Sequence, residues 1–243
     1  MNLKPRRHEE PEINVVSLID VVLLLVVFFM LSSRFTDEGR MRVHLPQANA
    51  VPPQTSNSEP LVVTVGRLVP VKRFGWFIDA MTKLRAEYPD LQAVVVGEGY
   101  ERPALEAQVR AAGAGGWLSL PGRLGDQELV DLYRRAWLVV STSVREGWGM
   151  TLTEAGACGT PAVATRIAGH EDAVSHGSSG LLVDTMDDVV TAAAAILSDD
   201  QLRARLGDGA LRTAERFTWD RTASVSFGVL AAEAARAPRR RAG

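Results

Sequence analysis

Six short apolar runs separated by helical segments predict a doubly wound, Rossmann-like parallel α/β sheet from Leu61 onward, preceded by one transmembrane helix. Three observations carry that expectation. The runs LVVTV, LQAVVVG, WLSLPG, WLVVST, PAVAT and GLLV are apolar at successive positions, as strands buried on both faces must be. Helical segments such as residues 74–88 and 102–112 fall between them, the alternation that covers a parallel sheet on both sides. Ahead of them lies INVVSLIDVVLLLVVFFML, residues 13–31, in which only Asn14, Ser17 and Asp20 are polar.

The chain has 243 residues and a formal net charge of -2. That length allows one large domain or a small element plus a medium one, and the near-balanced charge gives no support to a nucleic-acid partner. Cys158 is the only cysteine, which excludes an intramolecular disulfide and a thiolate metal cluster.

In chain order, residues 1–46 comprise a short basic tail and the membrane span. A helix over 13–31, at about 1.5 Å per residue, is roughly 28 Å long, near the hydrocarbon thickness of a bilayer. A secretory signal would require a small-x-small cleavage site, whereas Leu31 is followed by Ser32, Ser33 and Arg34. A buried core helix would show a polar face, and residues 21–31 are apolar all round. An aspartate inside a span costs about 2.5 to 3.5 kcal/mol on insertion scales. Asp20 is therefore expected either near the headgroups or facing a protein interior or water path, where desolvation would make it a proton-coupling carboxyl.

This opening, a basic N-terminus followed by INVVSLIDVVLLLVVFFMLSSRF and a proline-bearing linker, resembles the start of the ExbD/TolR family of energy-transducing membrane proteins. The resemblance covers residues 1–60. It implies that Asp20 couples proton flow to motion in a stator with an ExbB-like subunit as partner, in a bacterial inner membrane. Ser17 stands where many members of that family carry proline, and the outer domain expected after the linker is not found in the sequence.

Residues 47–60, QANAVPPQTSNSEP, have three prolines and no periodic apolar face, and read as a flexible linker. Residues 61–236 form the α/β domain, and 237–243 a basic, solvated tail. In such a sheet ligands bind outside the carboxyl ends of the strands. The uncommon residues gather there: Gly66, Arg67 and Lys72 after the first strand, Gly97-Glu98-Gly99 after the second, Pro121-Gly122-Arg123 after the third, and Arg145-Glu146-Gly147-Trp148-Gly149 after the fourth. Each alone fits a tight turn or a solvated charge; their convergence on one rim marks a binding site.

In EGWGMTLTEAGACGTPAVAT, residues 146–165, Gly147 and Gly149 let the backbone approach a ligand closely. A helix beginning near Met150 offers N–H groups to phosphate or sugar hydroxyls. Glu154 lies about one turn inside that helix, where a carboxylate can accept hydrogen bonds from both hydroxyls of a ribose. Glu146, at the loop end, lies nearer a sugar. The two also fit a loop residue and a solvated helix-face residue. His170 and His176 do not share a helix face and read as surface residues rather than as a metal pair or a base.

The spacing of Glu146 and Glu154 resembles the E-x7-E motif of retaining family-four glycosyltransferases with the GT-B fold. VGRLVPVKRF, VGEG, GHEDAV, GSSGLLV and ERFTWDRTA extend the resemblance over residues 61–236. It implies a nucleotide-sugar donor domain in which Arg67 and Lys72, beside Gly66 and Gly97, hold the diphosphate. Glu154 would hold the ribose and Glu146 the donor sugar. The backbone around Arg123 would read the base, and Gly147, Trp148, Gly149, Met150 and Thr151 would meet sugar and phosphate. A hexosyl group would pass to an unknown acceptor. No metal or cofactor is expected, because there is no D-x-D site and Arg67 and Lys72 can take the place of a divalent ion.

That family builds its cleft from two Rossmann-like domains, and the chain is expected to supply the second. The helix after Phe217, with Trp219 and SFGVLAAEA, would cross to the first domain, so it is expected to fray or to expose an apolar stripe. Basic residues tie across the span, Lys4, Arg6 and Arg7 against Arg34, Arg40 and Arg42, which leaves both membrane orientations open. The two resemblances meet at EPLVVTVGRLVPVK, residues 59–72, so the chain reads as a fusion or chimera of two incomplete parts. Its alternatives are a proton-coupled stator subunit with a passenger domain and a binding-only nucleotide-sugar module.

Overall fold

The computed structural model describes residues 59–236. The span expected at 13–31, Asp20, most of the linker and the basic tail lie outside the described residues. Among those described, no helix is long and apolar enough to cross a membrane.

Strands β1 (Leu61–Val65), β2 (Gln92–Val96), β3 (Leu118–Gly122), β4 (Leu138–Ser141), β5 (Ala162–Thr165) and β6 (Gly180–Val183) form one sheet in the order β3-β2-β1-β4-β5-β6. Every pairing is parallel. The intervening helices are α1 (Phe74–Arg85), α2 (Arg102–Ala111), α3 (Asp126–Arg135), α4 (Met150–Ala157), α5 (Ala168–Glu171), α6 (Met186–Ser198), α7 (Asp200–Ala214) and α8 (Trp219–Arg236).

Strand side chains point alternately to the two faces, and helices cover both, which is why the runs are apolar throughout. Val62, Val95 and Val140 pack with Phe77, Ile78, Met81 and Leu84 of α1 and with Val189 and Ile196 of α6. Val63, Val96 and Val139 pack on the opposite face with Leu129, Leu132 and Tyr133 of α3 and Leu152 of α4. Each such side chain, fully buried, contributes about 1.5 to 3 kcal/mol. The start of α6 is locally encoded. Asp188 N donates to Thr185 Oγ1 at 3.1 Å and Thr185 N donates to Asp188 Oδ2 at 3.0 Å, a reciprocal cap that opens α6.

The strand order places the site. From β1 the chain moves outward through β2 to β3, then returns to the other side of β1 and moves the opposite way through β4, β5 and β6. Loops leaving β1 and β4 therefore diverge, and a crevice opens between them at the carboxyl ends. At the far end of the chain, α8 has no covering partner among the described residues. Trp219, Phe227 and Leu230 share one face of it and are 86%, 73% and 69% exposed, so the stripe expected after Phe217 is present.

Candidate functional site

Hydrogen bonds clamp the loop after β1 to the loop after β4. The first runs from Gly66 and Arg67 into a 3-10 turn, Pro70–Lys72, closed by Arg73 in the left-handed conformation, φ 49°. Thr142, just beyond β4, shares its hydroxyl between the carbonyls of Lys72 and Arg73, each at 2.9 Å. Arg73 Nε donates back to Thr142 O at 3.0 Å, and Val144 N donates to Val71 O at 2.8 Å. Anchoring of this kind fixes the backbones of the two loops against each other.

Between the loops lies an open cleft of about 520 Å³, lined by Arg67, Val69, Val71, Lys72, Arg145, Glu146 and Gly147. The Lys72 ammonium is paired with Glu146 Oε1, and Ser143 Oγ donates to the same oxygen at 2.7 Å. Both side chains are mostly sheltered, 21% exposed for Lys72 and 15% for Glu146, so water competes weakly for the pair. A Cβ on Gly66 would sit 3.4 Å from Lys72 Cε, in ordinary contact with the lysine stem. Gly169 on α5 is where Glu146 requires a glycine: a Cβ would lie 2.5 Å from Glu146 O.

Glu154 stands apart from this cleft lining. It faces α3, where the Tyr133 hydroxyl donates to Glu154 Oε2 at 3.3 Å. Burial pushes the Glu154 carboxyl above its ordinary range; the Tyr133 hydrogen bond counters this and the charge of Asp126 adds to it. Tyr133, itself buried, is pushed well above the ordinary phenol value, by burial first and then by Glu154.

The other expected site residues divide between the rim and the packing behind it. Gly97 lies behind the cleft, with φ +138° and a Cβ position 1.8 Å from Gly66 O, so it lets the ends of β1 and β2 close on each other. Arg123 follows β3 directly and is exposed. Gly149 is buried against Ala173 and donates its N–H to Gly169 O at 2.9 Å. Met150 N donates to Trp148 O at 2.9 Å, whereas the amides of Trp148 and Thr151 have no acceptor among the described residues. Trp148 packs edge-on against Phe217 with ring centroids 4.9 Å apart, which ties the motif to the segment leading into α8.

His170 corrects the surface reading. It is 1% exposed, with Nδ1 2.8 Å from Thr165 O and Nε2 3.1 Å from Ser141 Oγ. Burial lowers its pKa below the ordinary 6.5, so it is a neutral prop under the β4 loop. His176 is exposed and accepts from Leu182 N at 2.9 Å. Arg145 enters the sequence expectations as a member of the rim cluster after the fourth strand, without a role of its own, and Ser143 does not enter them; adjacency to Glu146 is the signal that points to both.

The family model for glycosyl transferases group 1 matches residues 48–213, which takes in the linker. A D-inositol 3-phosphate glycosyltransferase from Thermobispora bispora is 37% identical over 175 residues, covering 68% of this chain and 41% of that one. The chain thus spans well under half the length of the curated relatives it matches. Among solved structures, the C-terminal domain of a glycosyl transferase group 1 family protein from Francisella tularensis is 26% identical with a TM-score of 0.59, covering 64% of this chain and 84% of that one. Anabaena HepE, solved in complex with UDP and glucose, has the same identity and TM-score and is covered over 43% of its length. With the single parallel sheet of GT-B type and a family match across most of its length, the chain belongs to the glycosyl transferases group 1 family.

Proposed function

We propose that this chain is the nucleotide-sugar donor domain of a retaining glycosyltransferase that transfers a hexosyl group to an acceptor hydroxyl. The observation that carries the reading is the cleft at the crossover between β1 and β4, where Arg67, Lys72 and Glu146 from two clamped loops line one hollow. Breaking the bond between the anomeric carbon and a nucleoside diphosphate places negative charge on the departing phosphate. Arg67, Lys72 and the free amides of Trp148 and Thr151 are the groups that stabilise it. Glu146 lies beside the sugar as it becomes oxocarbenium-like, and Glu154 accepts hydrogen bonds from the ribose. The cations serve in place of a divalent ion. Two relatives, an inositol phosphate glycosyltransferase and a protein solved with UDP and glucose, support a donor of this class.

Calorimetric titration of the full chain with UDP, GDP and ADP in the presence of a chelator tests this reading. Saturable binding of one of the three is expected. Binding that appears only when magnesium is supplied removes the metal-free part, and no binding under either condition overturns the function.

A further inference from the structure

The cleft holds more positive charge than Arg67 and Lys72 provide, and the surplus is on Arg145. Three cations and one carboxylate, Glu146, line it. Lys72 is committed to Glu146, and a phosphate drawing on that ammonium competes with a carboxylate that Ser143 also holds in place. Arg67 and Arg145 are exposed, and neither forms an ion pair or side-chain hydrogen bond among the described residues.

Like charges on adjoining loops repel, and an exposed arginine ordinarily turns outward into water. Here the loops cannot drift apart. Val144, the residue before Arg145, is bonded through its N–H to Val71 O, and Thr142 holds the carbonyls of Lys72 and Arg73. The backbone thus sets Arg145 on the loop facing Arg67, and both arginines line the same hollow. Three cations against one carboxylate leave two positive charges in excess, which match the one negative charge on each phosphate of a sugar-linked diphosphate. A guanidinium offers the planar pair of donors that suits phosphate oxygens, whereas an ammonium acts as a point charge.

We infer that Arg145 is a further diphosphate-binding residue of this site: from the loop after β4 it meets the phosphates that Arg67 and Lys72 approach from the loop after β1. The inference rests on the donor-site reading above and adds to it a second guanidinium, beside the motif glutamate, whose charge is not shared with Glu146 as that of Lys72 is.

The test uses the full chain and whichever of UDP, GDP and ADP binds it most tightly, titrated at low and at moderate salt. Arg145→Gln is expected to weaken that binding about tenfold or more and to flatten its salt dependence. The loss should be smaller for the matching nucleoside monophosphate, and Arg145→Lys should recover part of the affinity. Arg110→Gln, an exposed charge on α2, serves as the control and should change nothing. Arg145 has no side-chain partner among the described residues, so its replacement is expected to leave folding intact. Diphosphate affinity and salt slope equal to wild type in Arg145→Gln overturn the inference while the donor-site reading stands. Failure of the wild-type chain to bind any of the three overturns both.

Discussion

Glu146 and Glu154 sit on either side of the loop-to-helix junction at Gly149, and the fold treats them in opposite ways. Glu146 has an ammonium on one oxygen, a serine hydroxyl on the same oxygen and a glycine pressed against its carbonyl. Its position is specified by the protein alone. Glu154 has one neutral partner, the Tyr133 hydroxyl, and burial raises its pKa. A carboxylate sheltered from water without a cation is a liability to the folded state. Hydroxyl donors from outside the protein would satisfy it, and a ribose carries two side by side. The fold fixes one carboxylate with a cation and leaves the other with a single neutral partner.

The largest effect expected from breaking this arrangement comes at Gly169. A methyl group there would lie 2.5 Å from Glu146 O and 3.0 Å from Glu146 Cβ, and backbone atoms cannot swing aside as a long side chain can. Gly169→Ala should lose about 1 to 3 kcal/mol in urea unfolding and should abolish nucleoside diphosphate binding by displacing the β4 loop. A variant with wild-type stability and affinity would show that the loop carrying Glu146 is not specified by its packing on α5.

Lys72→Met is expected to do less. The methionine keeps an unbranched stem over Gly66 but leaves Glu146 with Ser143 as its remaining donor, at a cost of about 1 to 2 kcal/mol for a lost charge-assisted bond that is partly open to water. Its diphosphate affinity, measured beside that of Arg145→Gln, separates the two roles. If Lys72 chiefly positions Glu146, stability falls more in Lys72→Met and affinity falls more in Arg145→Gln. The reverse ranking would make the lysine the stronger phosphate contact.

The two glutamates also mark how far the sequence could be followed. Strand positions were legible because both faces of the sheet are covered, so LVVTV or AVAT can be little else. That Arg67, Lys72 and Glu146 would gather on one rim was legible too, because each follows the carboxyl end of a strand. The pairing of Lys72 with Glu146 was not. It joins residues 74 positions apart and depends on β4 returning to the side of β1, a matter of strand order that no local pattern records. The orientation of Glu154 toward α3 depends on the rotation of α4 against its neighbour. His170 misled for a related reason: α5 has four residues, too few for a face to be read from periodicity, and its burial comes from β4 and β5 beneath it. Loop chemistry was readable, and the contacts that assign each charge its partner were tertiary.

The smallest expected change in stability, and the one of opposite sign, belongs to Glu154. Because its folded pKa lies above the ordinary 4.5, the native state binds more protons than the unfolded chain between those two values. Its contribution to stability is therefore fully present below 4.5 and is lost as pH rises through the folded value. A glutamine cannot ionise and escapes that loss. Glu154→Gln should be at least as stable as wild type at neutral pH, with the gap between them closing as pH falls toward 4.5, while nucleotide affinity drops about tenfold. Thermal melts across that range read the first part and calorimetry the second. A gain in stability joined to a loss in binding is what a carboxylate retained for a ligand produces; a variant that is less stable at neutral pH would place Glu154 with Glu146, as a residue the fold itself requires.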